Sequence, residues 1–163
     1  MYRAQHTGEC MIRPACLLDV PAIINLGNRY VEQEVKTVGH HSAIWNAAES
    51  AHHLALAISH EALFLHVAVR DNEVVGFLWG GTHMLAPWDL TLVASDYLFY
   101  VTPEFRGTAV GMGLIKAWRN WAESQGCKEV RLSLASGINE ERVGKMYSIL
   151  GFSPFGTVYN HKF

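Results

Sequence analysis

The sequence is poor in the features that mark redox, metal and membrane proteins. Its three cysteines, Cys10, Cys16 and Cys127, are odd in number and form no C-x-x-C pair. That argues against a disulfide framework and a zinc knuckle, and for a reducing cytoplasm as the setting. Half of the residues are hydrophobic, yet no apolar run reaches the roughly 18 residues that span a bilayer. Met1 to Cys10 has no apolar core and does not read as a signal peptide. Charged residues make up 17% of the chain with a net of −2, so nothing supports non-specific binding to nucleic acid. There is no internal repeat, linker or low-complexity tract, and the 163 residues read as one domain with residues 1–10 as an N-terminal extension.

The sparse charge is unevenly placed. Residues 1–100 carry five basic and ten acidic side chains, and residues 101–163 carry eight basic and five acidic. A basic C-terminal part suits an anionic cofactor, and an acidic N-terminal part suits a cationic acceptor.

Periodicity gives a mixed order of elements. Met11 to Cys16 reads as a first strand, after which Asp19 caps a helix with Pro21 in its first turn and Ile23, Ile24 and Leu26 inward. A His-bearing connection over Thr37 to Ser42 leads to a second helix from Asn46 to Ser59. Leu63 to Val69 and Val74 to Gly80 flank the turn Asp71-Asn72-Glu73 as a hairpin. A loop with Pro87 and Trp88 then passes to a strand ending at Val101. Leu114, Ile115, Trp118, Trp121 and Ala122 form one helical stripe, Val130, Leu132 and Leu134 alternate as a strand, and Val143, Met146, Tyr147 and Leu150 face inward on a last helix opened by Asn139. Phe155 to Phe163 is expected to close the sheet as a final strand.

Between the strand at Val101 and the Leu114 helix lies Arg106-Gly107-Thr108-Ala109-Val110-Gly111-Met112-Gly113. A small-residue loop opening a helix lets backbone N–H groups approach phosphate oxygens, where the helix dipole favours negative charge. It is not a nucleotide-triphosphate loop, because Met112 and Gly113 stand where Lys and Ser or Thr are required. The dinucleotide fingerprint fits poorly in glycine spacing and lacks its distal acidic residue. The pattern that remains is Arg106, then small Ala109, then Gly111.

That pattern resembles the pyrophosphate loop of the GNAT superfamily of N-acetyltransferases. Ile12-Arg13-Pro14-Ala15 with Asp19-Val20-Pro21-Ala22-Ile23, Phe99-Tyr100-Val101 with Pro103-Glu104-Phe105-Arg106-Gly107, and Met146-Tyr147 with Leu150-Gly151-Phe152 stand in the family's order. The resemblance runs over nearly all of the chain from Met11. It implies an α/β (α+β) GNAT fold, with a mixed, mostly antiparallel sheet of about six to seven strands flanked by about four helices. It also implies acetyl-CoA as cosubstrate, with no metal, and direct transfer to a primary amine in a ternary complex. The backbone of Phe99, Tyr100 and Val101 would pair with the pantetheine arm. Arg106, Gly107, Thr108, Ala109, Val110, Gly111 and Met112 would form the cofactor loop, Asn139 would reach the cofactor's amide region, and Tyr147 would protonate the leaving thiolate. The sequence departs from the family at Ala109, where glycine is usual, and in the interval from Asn139 to Tyr147, which puts Glu140 in the usual Asn register. Ser133 stands mid-strand where some members place a glutamate.

A serine is no base at neutral pH, so Asp96, entering the strand before Val101, is taken as the general base, with His83, Glu32 and Glu34 behind it. Seven of nine histidines lie between His40 and His83, but adjacent histidines on a helix diverge by about 100° and no H-E-x-x-H occurs, so no metal site is expected. Tyr30, Trp45, Trp79 and Trp88 are candidate walls of an acceptor pocket. The acceptor is read as a small-molecule or peptide amine, without membrane or nucleic-acid partner, and a homodimer is left open. A non-catalytic acyl-CoA sensor and a nucleobase-modifying enzyme are the alternative readings.

Overall fold

A computed structural model describes residues 9–38, 44–134, 139–159 and 161. Five strands, β1 (Met11–Pro14), β2 (Leu63–Arg70), β3 (Glu73–Ala86), β4 (Asp89–Val101) and β5 (Glu129–Arg131), form one sheet in sequential order. The first three pairings are antiparallel, and β4 with β5 is parallel. The helices are α1 (Val20–Tyr30), the single turn α2 (Lys36–Val38), α3 (Ala47–Ser59), α4 (Ala109–Ser124) and α5 (Glu140–Ile149). A π-helical turn, Val31–Val35, joins α1 to α2. His40 and His41 of the expected His-bearing connection lie outside the described residues.

Local chemistry sets most of these elements. Asp71 and Asn72, at φ 49° and 63°, make the two-residue turn between β2 and β3, a conformation that Asp and Asn tolerate. Asn46 caps α3 by accepting from the Glu49 N–H at 3.1 Å. The apolar stripe of α4 is buried on one face of the sheet, where Leu114, Ile115 and Trp118 are wholly enclosed with Phe64, Leu78 and Ala94. The other face packs Ile23, Leu26 and Leu54 from α1 and α3 on Leu65, Val67, Phe77 and Tyr100. Consecutive strand residues such as Phe64 and Leu65, or Phe77 and Leu78, are thus buried on opposite faces. Gly80 lets the Trp118 indole lie on β3, because a Cβ there would stand 2.7 Å from both Trp118 Cη2 and the Ser95 carbonyl oxygen.

Three expectations are corrected. The loop expected around Pro87 and Trp88 is a tight turn, since β3 runs to Ala86 and β4 starts at Asp89; proline favours the second position of a turn. The sheet has five strands among the described residues, not six to seven, and 155–159 and 161 form no strand. Pro154 has no N–H to give to a ladder and Gly156 turns at φ 71°, so Val158 and Tyr159 are left almost fully exposed. Finally, Asp19 does not cap α1 with its side chain. Its buried carboxylate takes both Arg13 guanidinium nitrogens, at 2.7 and 2.9 Å, and the Cys16 N–H at 2.8 Å.

That bidentate pair fastens β1 to the start of α1 and holds the Asp19 carboxyl at about 2, below its ordinary 3.8. A depressed folded-state pKa contributes stability that is complete above the unfolded value and is lost as pH falls from near 4 through 2. Asp19→Asn should therefore lower stability at pH 7 by about 2 kcal/mol and flatten the acid dependence between pH 5 and 2. Urea denaturation at pH 7 and pH 3 checks both effects.

Candidate active site

The β4–β5 ladder is short. It pairs only Val93, Ala94 and Ser95 with Glu129, Val130 and Arg131, whereas β4 runs on to Val101. Along β3 the register slips between Trp79 and Gly80, which face Leu98 and Asp96, so Tyr97 is the extra residue of a bulge. Past that bulge β4 has no strand on its β5 side among the described residues. The Thr102 N–H bonds to the Val75 carbonyl at 2.9 Å, so backbone groups of the same parity, including those of Tyr100, face β3. Those of Phe99 and Val101 point the other way, into a cavity of about 420 Å³. The cavity is lined by Asp96 to Val101, Gly107, Thr108, Gly111 and Met112 on one side and by Asn139, Arg142, Val143, Met146 and Tyr147 on the other. It opens at the carboxyl ends of the two parallel strands, the usual place for ligands in open α/β sheets.

One end of the cavity is made for an anion. Thr108 caps α4 in an extended conformation with a long 3.4 Å contact to the Val110 N–H, and the first-turn amides of Ala109, Val110 and Gly111 have no intrahelical acceptor. Ala109 is the first helical residue and is not among the residues with positive φ, so its Cβ is accommodated. Val110 turns its side chain into the core and offers only its backbone. Gly107 sits at φ 77°, and a Cβ there would collide with the Arg142 guanidinium. Asn139, left-handed at φ 54°, lines the cavity without capping α5.

The other end brings Asp96 and Tyr147 together through Ser133. Ser133 lies beyond the last residue of β5 rather than mid-strand, because the Asp96 carboxylate draws the chain toward itself. It accepts the Ser133 N–H at 2.9 Å and the Ser133 hydroxyl at 3.0 Å. The Tyr147 hydroxyl donates to the Ser133 carbonyl at 3.2 Å. Burial raises the Asp96 carboxyl above its ordinary value despite the two bonds from Ser133. Burial first, and then the nearby Asp96 charge, push the Tyr147 phenol well above the ordinary tyrosine range, so it stays protonated.

The wall facing β4 comes from α1 and the π-helical turn. Tyr30 and buried Glu34 line the cavity. Glu34 accepts from Arg106, whose Nε also donates to the Val101 carbonyl at 2.8 Å and whose guanidinium lies over the Tyr100 ring. Arg29 meets Glu104 at 3.2 Å in the same way. The Arg106 side chain, itself part of the cavity wall, thus braces the start of the loop against Glu34 and the end of β4. Of the reserve bases only Glu34 reaches the cavity. Glu32 is exposed and paired with Lys36, and His83 spans the Met84 carbonyl and the Ser95 hydroxyl, each at 2.8 Å. Of the aromatic walls Tyr30 lines the cavity, while Trp45, Trp79 and Trp88 do not, and Trp88 is exposed at the hairpin tip. The sequence reading missed Arg142 and the Glu34–Arg106 pair. A cation two residues past Asn139-Glu140 in a helix's first turn was the available signal for the first, and the second is a long-range contact without any.

Comparison with known proteins fits this geometry. The model of the GNAT acetyltransferase family matches residues 30–152, and the chain belongs to that family. No curated protein sequence matches it. Among solved structures it is similar to an aminoglycoside N-acetyltransferase in complex with CoA (18% identity, 98% of each chain covered, TM-score 0.75). It is also similar to a predicted acetyltransferase from Clostridium acetobutylicum with acetyl-CoA (15%, 94% of this chain and 96% of the other, 0.73). A third likeness is to glucosamine-6-phosphate N-acetyltransferase from Arabidopsis thaliana (14%, 95% and 99%, 0.71). These likenesses establish the fold. Within it, no described helix is long and apolar enough to cross a membrane.

The Glu34–Arg106 bridge predicts energetic coupling between two elements distant in sequence. A double-mutant cycle of Glu34→Gln and Arg106→Gln, read by urea denaturation, should give a coupling energy of about 1–2 kcal/mol. Additive losses would show the bridge to be idle.

Proposed function

We propose that the protein is an acetyl-CoA-dependent N-acetyltransferase that passes the acetyl group directly to a primary amine in a ternary complex. The observation that carries this reading is the unpaired Phe99–Val101 edge of β4, which runs from the Asp96–Tyr147 cluster to the N-terminus of α4 inside one cavity. The residues present fit the cosubstrate. The outward-facing amides of Phe99 and Val101 and the Phe99 carbonyl suit an extended pantetheine arm, the Val101 carbonyl being held by Arg106, and the amides from Gly107 to Met112 suit a pyrophosphate. Asn139 stands across the cavity at the mouth of α5. Relatives of the same fold carry CoA or acetyl-CoA in their crystals, and one was crystallised with a CoA–acetylneamine bisubstrate analogue.

Acetyl-CoA supplies a thioester, whose acyl carbon accepts an amine as the thiolate departs. The chain's own residues manage the protons. Asp96 Oδ takes a proton from the acceptor ammonium, a task helped by a carboxyl pKa raised toward neutrality. Tyr147 keeps its proton on Oη and turns that hydrogen bond from Ser133 to the departing sulfur. No cysteine lines the cavity, which supports direct transfer.

Thiol release measured across a panel of amines, with calorimetry of coenzyme A binding, tests the proposal. Binding without turnover on any amine would favour an acyl-CoA sensor. Tyr147→Phe keeps the packing against Phe152 and should lower kcat roughly 10²–10⁴-fold with little change in coenzyme A affinity. A loss of only a few-fold would move the hydrogen-bond donor to the departing sulfur elsewhere. Asp96→Asn keeps acceptor and donor groups for Ser133 while removing the charge. It should abolish the rising acid limb of kcat/KM and lower the rate by a similar order. A retained limb and rate would make Asp96 a clamp for the end of β5 and nothing more.

A further inference from the structure

The first turn of α5 brings to the cavity a charge that the loop motif does not include. Arg142 is the third residue of α5, and its guanidinium lies over Gly107, the residue just before the cap of α4. A Cβ on Gly107 would overlap the guanidinium where it now lies and approach its central carbon to 3.0 Å, so the absence of a side chain at position 107, whose φ of 77° also favours glycine, lets the guanidinium rest against the backbone. Arg142 has no hydrogen-bond or ion-pair partner among the described residues. Arg13, Arg29, Arg106 and Arg131 by contrast each face a carboxylate. Lys145, one turn further along α5, is engaged by Glu141 at 2.8 Å. A cation in a helix's first turn also opposes that helix's own dipole, which makes Arg142 unfavourable for α5 in isolation. Glu140 and Glu141 share that turn, but neither forms an ion pair with Arg142 among the described residues, and Glu141 is taken by Lys145.

We propose that Arg142 contacts the pyrophosphate of acetyl-CoA, gripping it from the α5 side while the first-turn amides of α4 hold it from the other. The assignment rests on the acetyl-CoA reading above. The pyrophosphate, rather than the 3′-phosphate, is the target because the guanidinium lies against Gly107, the residue that leads into those amides. A planar fork of donors beside a helix N-terminus suits a dianion, and a point charge such as lysine would reproduce only part of the contact. Until the phosphate arrives, the guanidinium rests over the Gly107 backbone, and binding draws it onto the phosphate oxygens.

The test is calorimetry of unacetylated ligands with wild type, Arg142→Gln and Arg142→Lys, together with thermal denaturation. Arg142→Gln should weaken coenzyme A about tenfold or more. Dephospho-coenzyme A should be weakened by the same factor, and pantetheine, assayed by competition, should be unaffected. Arg142→Lys should fall between the two proteins. The Tm of the glutamine variant without ligand should be unchanged or higher, since the first-turn cation has been removed. Unchanged coenzyme A affinity in Arg142→Gln overturns the assignment alone. So does a loss that vanishes with dephospho-coenzyme A, which would put the contact on the 3′-phosphate. An equal loss for pantetheine would make Arg142 structural. A wild-type protein that binds no coenzyme A overturns the acetyl-CoA reading and this assignment with it.

Discussion

The separation of β4 from β5 is the constraint on which the site depends. A parallel pair that stayed in register to Val101 would satisfy the backbone groups of Phe99 and Val101 internally and leave no edge for a ligand. Two features stop it. The bulge at Tyr97 adds local twist just where β5 ends, and Asp96 takes the next available amide, that of Ser133, with a side chain instead of a main-chain carbonyl. The ladder is thus ended by a carboxylate that then stands at the closed end of the gap. One residue stops the sheet and supplies the charge there.

Both sides of the gap are anchored to the folded core. On one, the bridge from Glu34 through Arg106 to the Val101 carbonyl ties the π-helical turn, the end of β4 and the start of the loop together. A widened turn of this kind is frequent at functional positions because it redirects side chains without ending the helix. Here it brings Glu34 to the cavity wall. On the other side, Tyr147 and Leu150 of α5 are buried in the core that α4 shares, so the helix carrying Arg142 is fixed by apolar contacts from below. The two helices whose first turns converge on the anion end are therefore held by one hydrophobic cluster, and their spacing is set by packing.

Much of this arrangement was legible because it is local. The Asp71-Asn72 turn, the helix from Asn46 to Ser59, the α4 stripe and the run from Arg106 to Gly113 each declare themselves within a short stretch of chain. The features that were not legible depend on what a segment pairs with or fails to pair with. Pro87 and Trp88 look like a loop, but the flanking segments pair with each other to give a long hairpin. Leu132 and Leu134 continue an alternating pattern, yet the chain leaves the ladder after Arg131 because Asp96 competes for it. The apolar run near the C-terminus reads as a strand, but Pro154 and Gly156 interrupt it and no sheet edge receives it. Arg106 fits a cofactor motif, but its side chain is engaged by Glu34, 72 residues earlier in the chain.

The uneven charge along the chain becomes a gradient across the cavity. Arg142 and the α4 dipole make one end positive, and Asp96 with Glu34 makes the other negative. Glu34 is matched by Arg106, so Asp96, which has hydrogen bonds from Ser133 but no cation paired with it among the described residues, is the carboxylate that the proposed reaction leaves for an incoming positive charge. That unmatched charge has a second effect. Added to burial, which is the larger cause, it raises the Tyr147 phenol and makes full proton loss from Oη unfavourable while leaving its capacity to donate a hydrogen bond intact. In the reaction proposed, an acceptor ammonium that gave its proton to Asp96 would remove the negative charge beside Tyr147 and make the phenol a stronger acid. The donor would then be strengthened at the moment that charge develops on the sulfur, and the two groups would act in sequence because they share one electrostatic environment.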